Sequence, residues 1–379
     1  MQSQVFLRHT PGCGTGVNRQ VRHVGRASAF GNTFTRLILQ SSQCGCSVST
    51  LEASNKARRV SGRRAAARNA ARAASASQKL TVAVTGATGL VGTRLVQRLA
   101  REGHNVRVLT RDVGNAKDKL RSRNTQFYGP RSWSEAVSGA SGVINLAGEP
   151  ISTRWTNTVK REIKRSRIET TRALVAAINA CPKNRRPKVL VSTSAVGFYG
   201  TSETQTFSEA SAAGNDYLAE VCREWEAQAS KADVDRVVIL RTGIVLAKEG
   251  GAVGKMLPVF KLFAGGPLGT GQQWCSWIHR DDLVSLYMEA LTNSAFRGSY
   301  NATAPNPVRM AELCSVLGSR LGRPSWLPVP SFAISALLGA GASVVLEGQK
   351  VLPKKTLENG FEFQYSKLDP AISNILAGS

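Results

Sequence analysis

Residues 79–112 read KLTVAVTGATGLVGTRLVQRLAREGHNVRVLTRD and carry the clearest structural signal in the chain. LTVAVT is a short apolar run rich in β-branched residues, which is typical of a strand buried on both faces. A glycine-rich turn follows it, and apolar residues then recur at helical spacing up to a stop signal at Gly103. VRVLT is a second strand. The stretch therefore predicts a β-α-β unit, the smallest element of a doubly wound sheet.

The same alternation continues along the chain. SGVINLAG, KVLVSTSA and RVVILRTG predict strands, and long helices are predicted over residues 156–180 and 216–230. Strands alternating with helices over about 165 residues predict an α/β fold with a doubly wound parallel Rossmann sheet. We expect the NAD(P)-binding Rossmann domain over residues 78–320 and a small C-terminal cap domain over 321–379.

Two later segments have weaker patterns. The glycine-rich stretch that begins at residue 250 is expected to be a loop. Residues 331–346, SFAISALLGAGASVVL, are uncharged. They are shorter than the roughly 20 residues that a membrane-spanning helix needs. This segment is therefore expected to be a buried or partner-facing helix, and the chain is expected to contain no spanning helix.

The first 77 residues have the composition of a leader. Residues 1–78 contain twelve Arg or Lys and one acid, Glu52, and so carry +11 of the chain's net charge of +25. The segment is rich in Ser, Ala and Arg and has no hydrophobic periodicity, which favours an organelle transit peptide over residues 1–77. We expect the chloroplast stroma, with the mitochondrion as the alternative. A nucleic-acid-binding arm is disfavoured, because the basic run stops where the first strand begins.

Cysteine and histidine are too sparse to predict a metal site or a disulfide framework. The cysteines that follow the leader are widely spaced and form no C-x-x-C pair, and the four histidines are scattered. Ligand sets for zinc usually appear as closely spaced pairs of these residues. We therefore expect no metal.

The turn TGATGLVG places Gly86, Gly89 and Gly92 in a G-x-x-G-x-x-G spacing. One glycine permits the tight turn, one lets a pyrophosphate approach the backbone, and one lets the helix pack close to the sheet. The free N–H groups and the positive dipole end of the helix also favour phosphate. Because the triplet follows a strand and opens a helix, it predicts a dinucleotide-binding site.

The end of the second strand indicates which dinucleotide binds. An NAD site places an acid there for the ribose 2′-hydroxyl. Here the strand ends in Thr110 and Arg111, and the arginine guanidinium is able to pair with a 2′-phosphate. Asp112 follows one residue later, so NAD is the less favoured alternative. NADP is the expected cofactor.

Several motifs together resemble a known superfamily. TGATGLVG, NLAG and STSAVGFYG resemble the extended short-chain dehydrogenase/reductases (SDRs). The chain is similar, in order over residues 79–372, to the SDR39U1-type epimerase family in INLAGEPISTRW, KRSRIETTRALVAAI, EVCREWE, LRTGIVL, SWIHRDDL and VLPKKTLENGFEF. With a leader in front, it resembles the SulA-like plastid branch, which is linked to chloroplast division. That resemblance implies a stromal protein on or near the inner envelope.

The resemblance also implies which residues contact the dinucleotide. The glycine loop would hold the pyrophosphate, an arginine the 2′-phosphate, the NLAG segment the adenosine half, and two residues of the next helix would face the cofactor. The implied set is Gly86, Thr88, Gly89, Leu90, Val91, Gly92, Arg111, Leu146, Ala147, Glu162 and Arg167. SWIHRDDL is implied to be a loop that closes over the site, with Asp281 or Asp282 capping the helix that follows.

The catalytic residues are harder to predict, because the usual lysine is missing. In extended reductases a Ser or Thr orients the substrate, a tyrosine transfers the proton, and a lysine four residues later lowers the pKa of that tyrosine. Here Ser194 or Thr193 offers the hydroxyl, but Tyr217 is followed at that distance by Val221. A tyrosine without a nearby cation titrates near about pH 10 and is a poor base at neutral pH.

Three answers to the missing lysine stay open. Tyr199, in GFYG at the C-terminal mouth of a strand, is the acid; or Arg167 supplies the charge from a neighbouring helix; or hydride chemistry is weak or absent. The catalytic candidates are Ser194, Tyr199 and Tyr217. The expected function is an NADP-dependent oxidoreductase or epimerase with an unknown small-molecule substrate, a nucleotide sugar among the candidates. The alternative is a nucleotide-binding scaffold that meets a partner in chloroplast division or at the inner envelope.

Overall fold

The computed structural model describes residues 79–122 and 124–378. The transit peptide predicted over residues 1–77 lies outside the described residues. The strands of the described part are, in chain order, β1 Thr81–Thr85, β2 Asn105–Leu109, β3 Thr125–Tyr128, β4 Gly142–Asn145, β5 Val189–Ala195, β6 Thr206–Phe207, β7 Arg236–Thr242, β8 Ile244–Ala247, β9 Trp274–Cys275, β10 Trp277–His279, β11 Gly298–Ala302, β12 Val308–Arg309 and β13 Lys350–Val351.

The α-helices alternate with these strands in the first two-thirds of the described chain. They are, in chain order, α1 Leu90–Arg101, α2 Val113–Lys119, α3 Trp133–Val137, α4 Asn157–Asn179, α5 Tyr217–Ala229, α6 Gly251–Lys261, α7 Arg280–Thr292, α8 Met310–Leu321, α9 Ser331–Leu338, α10 Ser343–Leu346, α11 Lys354–Glu358 and α12 Leu368–Ala377.

Seven parallel strands of the described residues form the central sheet, in the order β3-β2-β1-β4-β5-β7-β11. Alternate residues of β1 serve opposite faces of this sheet. Val82 and Val84 pack in a core with residues of α1 and α7, whereas Ala83 packs with residues of α3 and α4. Helices on both faces of a parallel sheet define the doubly wound α/β fold, so the predicted fold class is confirmed.

The direction of strand addition reverses between β1 and β4. From β1 the chain adds β2 and then β3 on one side, and it returns to add β4, β5, β7 and β11 on the other. Ligands of open α/β sheets bind beside the carboxyl ends of the strands at such a switch point. Gly86 follows β1 and Leu146 follows β4, so the fold brings these two predicted cofactor residues to the same crevice.

A second core involves the C-terminal part of the chain. It joins residues of β8, α6, α8 and α12, including Leu246, Leu257, Leu313 and Ile372. The described residues all lie within one compact unit. The cap region therefore shares its core with residues from 246 onward, and the domain boundary after residue 320 stays a prediction.

Two local predictions are wrong. The expected loop after residue 250 contains helix α6, because Val253, Leu257 and Phe260 recur at helical spacing and their burial outweighs the glycines. Residues 331–346 form two short helices, α9 and α10, because Gly339 adopts a left-handed φ of 58° and ends the first. Within residues 79–122 and 124–378, no helix combines the length and the apolar content needed to cross a membrane.

Candidate dinucleotide and active site

The glycine loop between β1 and α1 has two positions with no room for a side chain. Gly86 has a left-handed φ of 66°, and a Cβ atom on it would lie 2.6 Å from the carbonyl oxygen of Leu146. A Cβ atom on Gly92 would lie 2.2 Å from the carbonyl oxygen of Gly86. Both distances are too short for any real Cβ contact. Glycine at these positions lets the turn press against the end of β4 and lets α1 start directly beneath it.

The N-terminus of α1 is suited to an anion. Its N-cap residue is Gly89, which has no side chain to occupy the first free N–H groups. Thr88, Leu90 and Val91 border the turn and are partly exposed. Free backbone donors and the positive end of the helix dipole are the groups that bind a pyrophosphate in this fold.

The NLAG segment forms the second wall of the crevice. Asn145, at the end of β4, is fully buried; its Oδ1 accepts a hydrogen bond from Thr85 Oγ1 at 2.7 Å. Its Nδ2 donates to Thr171 Oγ1 on α4 at 2.8 Å. These bonds fix the ends of β1 and β4 to the helix behind them. Leu146 and Ala147 follow directly, so their backbone is held beside the glycine loop. Asn145 was not among the predicted site residues, although an asparagine ending an apolar strand is a signal for such a bond.

Arg111 lies two residues beyond the end of β2, and its side chain is 78% exposed. Its Nη2 lies 3.0 Å from Oε1 of Glu149, a residue of the loop after β4. Because β1 lies between β2 and β4, this ion pair reaches across the carboxyl end of β1. Asp112, the acid considered for an NAD site, instead caps α2, where its carboxylate accepts the N–H of Asn115 at 3.0 Å.

Arg167 and Glu162 lie on different sides of α4. Arg167 donates from Nη2 to the main-chain oxygen of Glu149 at 2.9 Å, and its guanidinium lies 5.3 Å from the centroid of the Trp225 ring. Burial lowers the pKa of Arg167, yet an arginine stays charged at neutral pH. The carboxylate of Glu162 pairs with Arg165 at 3.1 Å near the surface. Arg167 therefore holds the loop after β4, while Glu162 takes part in a surface pair.

Ser194 and Tyr199 belong to one internal chain of hydrogen bonds. Ser194 Oγ donates to Glu226 Oε1 at 2.7 Å. The Glu226 carboxylate accepts two bonds from Arg241, each 2.8 Å long. Arg241 Nη1 donates to the Tyr199 hydroxyl at 3.0 Å, and that hydroxyl donates to Asn301 Oδ1 at 2.7 Å. The chain links β5, α5, β7 and β11 beneath the carboxyl edge of the sheet.

This chain places two residues inside the protein. Tyr199 was expected at the mouth of β5, but it is 3% exposed, and burial raises the pKa of its hydroxyl. The carboxylate of Glu226 is buried against Arg241. The sequence contained one sign of this pair, because an arginine inside the apolar strand RVVILRTG requires an acidic partner. The catalytic assignments of Ser194 and Tyr199 stay predictions.

Tyr217 is the first residue of α5 and is partly buried. Its hydroxyl donates to the main-chain oxygen of Lys160 at 2.5 Å, and the Lys160 ammonium lies 5.4 Å from the ring centroid. The Trp155 ring meets it edge-on with centroids 5.6 Å apart. Tyr217 therefore lies between α5, the start of α4 and the loop that precedes α4.

The cations around Tyr217 come from α4. Val221, at the position of the usual lysine, is 1% exposed and belongs to the core. Lys164 on α4 reaches α5 and binds Glu220 with an Nζ–Oε1 distance of 2.8 Å. Burial raises the pKa of Tyr217, while the charges of Lys164 and Arg167 act in the opposite direction. Positive charge is thus present near the Tyr217 hydroxyl. Here it comes from α4, whereas the lysine of ordinary extended reductases lies four residues after the tyrosine.

The SWIHRDDL motif covers β10 and the first turn of α7, and its side chains hold this helix in position. His279, rather than either aspartate, caps this helix, because its Nδ1 accepts the N–H of Asp281 at 3.1 Å. Burial lowers the pKa of His279 to about 4, so it is neutral at physiological pH. Asp281 pairs with Arg94 of α1 at 2.8 Å, and the buried Asp282 accepts two main-chain N–H groups of the C-terminal segment. The expectation of an aspartate cap is therefore wrong.

In the part of the chain that the structure describes, no group of three or more His, Cys, Asp or Glu residues is arranged to hold a metal ion.

Comparison with known proteins identifies the family of this chain. The model of the NAD dependent epimerase/dehydratase family matches residues 82–302, and a domain of unknown function (DUF1731) matches residues 329–375. The Arabidopsis thaliana protein named "Epimerase family protein SDR39U1 homolog, chloroplastic" is 56% identical over 304 residues, which are 79% of this chain and 87% of that protein.

Two solved structures share both fold and sequence with this chain. The crystal structure of human epimerase family protein SDR39U1 (isoform 2) with NADPH has a TM-score of 0.70 and 34% identity, and the match covers 79% of this chain and 100% of that chain. The nucleoside-diphosphate sugar epimerase from Corynebacterium glutamicum has a TM-score of 0.62 and 33% identity, and the match covers 79% of this chain and 58% of that chain. The chain therefore belongs to the SDR39U1 epimerase family.

Proposed function

We propose that this protein binds NADP(H) at the switch-point crevice, more tightly than NAD(H), and works as an oxidoreductase or epimerase. The observation that carries the proposal is the glycine loop, in which Gly86 and Gly92 leave no space for a Cβ atom beside an uncapped helix N-terminus. The NADPH in the crystal of the human relative supports NADP over NAD. The name of the Arabidopsis relative and the basic, acid-poor leader support a chloroplast location.

The contacts of the crevice suggest how the dinucleotide lies. The glycine loop and the first turn of α1 bind the pyrophosphate through backbone N–H groups. Leu146 and Ala147 pack against the adenosine half, and the exposed guanidinium of Arg111 pairs with the 2′-phosphate. Arg167 acts from behind by holding the loop after β4, and Glu162, on another side of the same helix, pairs with an arginine of that helix.

We assign proton transfer to Tyr217. Tyr217 is partly exposed, its hydroxyl bonds to a main-chain oxygen of α4, and positive charge lies nearby on Lys164 and Arg167. Ser194 and Tyr199, in contrast, are buried, and their hydroxyls bond to side chains of the internal chain. The bound nicotinamide would supply or accept a hydride, and Tyr217 would give a proton to, or take one from, the substrate oxygen. A nucleoside-diphosphate sugar is a suitable substrate class, supported by the name of the Corynebacterium relative.

Replacing Tyr217 by phenylalanine tests this assignment. NADPH-dependent reduction of a panel of carbonyl compounds, including keto forms of nucleotide sugars, should fall about 100-fold, while the Kd for NADPH stays unchanged. Burial raises the Tyr217 pKa above its usual value, so the tyrosine is protonated at neutral pH and competent as an acid. The reduction rate should therefore be flat through neutral pH and fall only as pH rises above about 10.

Tyr199→Phe is the matched control. It removes a hydroxyl from the internal hydrogen-bond chain, so we expect lower stability with the reduction rate of the folded protein retained. The reverse pattern, in which Tyr199→Phe abolishes turnover and Tyr217→Phe does not, would transfer the role to Tyr199. A scaffold without turnover is not proposed, because the relatives reported above carry epimerase names.

A further inference from the structure

Glu149 places an acid at the rim of the crevice where an NAD site usually has one at the end of β2. In this chain β2 is followed by Thr110 and Arg111, and the next acid, Asp112, is engaged as the N-cap of α2. Glu149 comes instead from the loop after β4, with its Oε1 3.0 Å from Nη2 of Arg111. The acid and the base therefore meet over the carboxyl end of β1.

The main chain of Glu149 is fixed from both sides. Its N–H donates to Ser166 Oγ at 3.2 Å, and its carbonyl oxygen accepts from Arg167 Nη2 at 2.9 Å. Arg167 is itself bound to the carbonyl oxygen of Ile163 at 3.0 Å. The carboxylate of Glu149 thus moves only by rotation about its own side-chain bonds, so it stays at the rim when its partner is taken by a ligand.

This arrangement acts in opposite directions on the two dinucleotides. A phosphate monoester carries nearly two negative charges at neutral pH. When Arg111 binds the 2′-phosphate of NADP(H), the Glu149 carboxylate loses its partner and faces a like charge. NAD(H) has a 2′-hydroxyl there, and a hydroxyl donates a hydrogen bond to a carboxylate. The same side chain therefore weakens NADP(H) binding and strengthens NAD(H) binding.

We propose that Glu149 is a cofactor-discriminating residue that competes with the 2′-phosphate for Arg111 and so limits the preference for NADP(H) over NAD(H). The inference rests on the proposed function, in which Arg111 pairs with that phosphate. Together with Arg111, a second residue from a different loop then determines the choice between NADP(H) and NAD(H). This also assigns a role to an acid that lies next to the NLAG segment.

The test measures the Kd of NADPH and of NADH for the full chain, by nicotinamide fluorescence at low ionic strength. Glu149→Gln, which is isosteric, should tighten NADPH about fivefold, because it removes one like-charge contact at an exposed site. It should weaken NADH, since an amide oxygen is a poorer acceptor than a carboxylate. Added salt should reduce the gain in NADPH affinity that Glu149→Gln brings, because salt screens exposed charges.

Three further variants make the result decisive. Glu169→Gln removes an exposed carboxylate on α4, where it pairs with Arg172 at 2.7 Å, and should leave both Kd values unchanged. Glu149→Ala should raise the NADPH preference as Glu149→Gln does. Arg111→Ala should remove that preference. If it does so while neither Glu149 variant changes the ratio of the two Kd values, the inference is wrong and the proposed function stands. If Arg111→Ala leaves the ratio unchanged, the pairing of Arg111 with the 2′-phosphate is wrong and the inference fails with it; if neither nucleotide binds, the proposed function fails.

Discussion

Replacing Arg241 by methionine is expected to destabilise the protein by about 3–5 kcal/mol. Its guanidinium binds both carboxylate oxygens of Glu226, and the two side chains are only 7% and 11% exposed. Methionine occupies a similar volume, so the main effect is an unpaired carboxylate left inside the protein. The Tyr199 hydroxyl loses a donor as well. The free energy of unfolding, from urea titration followed by tryptophan fluorescence, measures the loss.

Two further variants separate the effect of burial on the free energy of unfolding from the effect of the unpaired charge. Arg320→Met breaks an exposed ion pair with Asp369 and should change the free energy of unfolding little, because water screens exposed charges. The double variant Arg241→Met with Glu226→Leu removes both charges, so it should recover most of the stability lost in the single variant. If the single variant is as stable as Arg320→Met, or if the double variant is no better than the single one, the internal pair does not have the assigned role.

Replacing Gly92 by alanine is expected to cost about 3 kcal/mol and to abolish NADPH binding. The new Cβ atom would lie 2.2 Å from the carbonyl oxygen of Gly86 and 2.7 Å from the Cα atom of Ala87. Both are main-chain atoms, so the contact is not relieved by rotating a side chain. Helix α1 must move away from the turn, which removes the backbone donors from the pyrophosphate site. Unfolding and NADPH titration measure the two effects separately.

Other glycines of the chain supply the controls. Gly89→Ala should keep the fold, because the φ of −80° at this position suits any residue and the atom nearest to the new Cβ atom lies 3.3 Å away. It should weaken the binding of NADPH, because the new methyl group would lie against the pyrophosphate. Gly114→Ala, inside α2 with its nearest neighbour at 3.5 Å, should leave binding intact and stabilise the helix slightly. Wild-type stability and binding in Gly92→Ala would contradict the close-packing account of the loop.

Local sequence signals were enough to predict the sheet and the glycine loop. The β1-turn-α1 unit lies within one short stretch, and each glycine acts on residues a few positions away or on the next parallel strand. Helix α6 was missed because glycines at its ends obscured the spacing of Val253, Leu257 and Phe260. In that case burial against the second core decided the structure, and the local propensity did not.

Contacts between elements that lie far apart in the sequence could not be predicted from the sequence pattern. Glu226 and Arg241 lie on a helix and a strand, and Arg111 meets Glu149 from a loop 38 residues away. Tyr199 was expected at the mouth of β5, but the 3-10 turn Val196–Tyr199 carries it back into the interior. Likewise, the charge of Lys164 on α4 acts to lower the pKa of Tyr217 on α5, an effect that Val221 at the usual lysine position does not reveal.

The most direct test of the account is calorimetric titration of the full chain with NADPH and NADH, repeated with Arg111→Ala. The account predicts one saturable site, tighter binding of NADPH than of NADH, and about a tenfold loss of NADPH affinity in the variant, as expected for one charge-assisted contact to phosphate. The absence of binding of either nucleotide would contradict the central claim that the glycine loop is a working dinucleotide site.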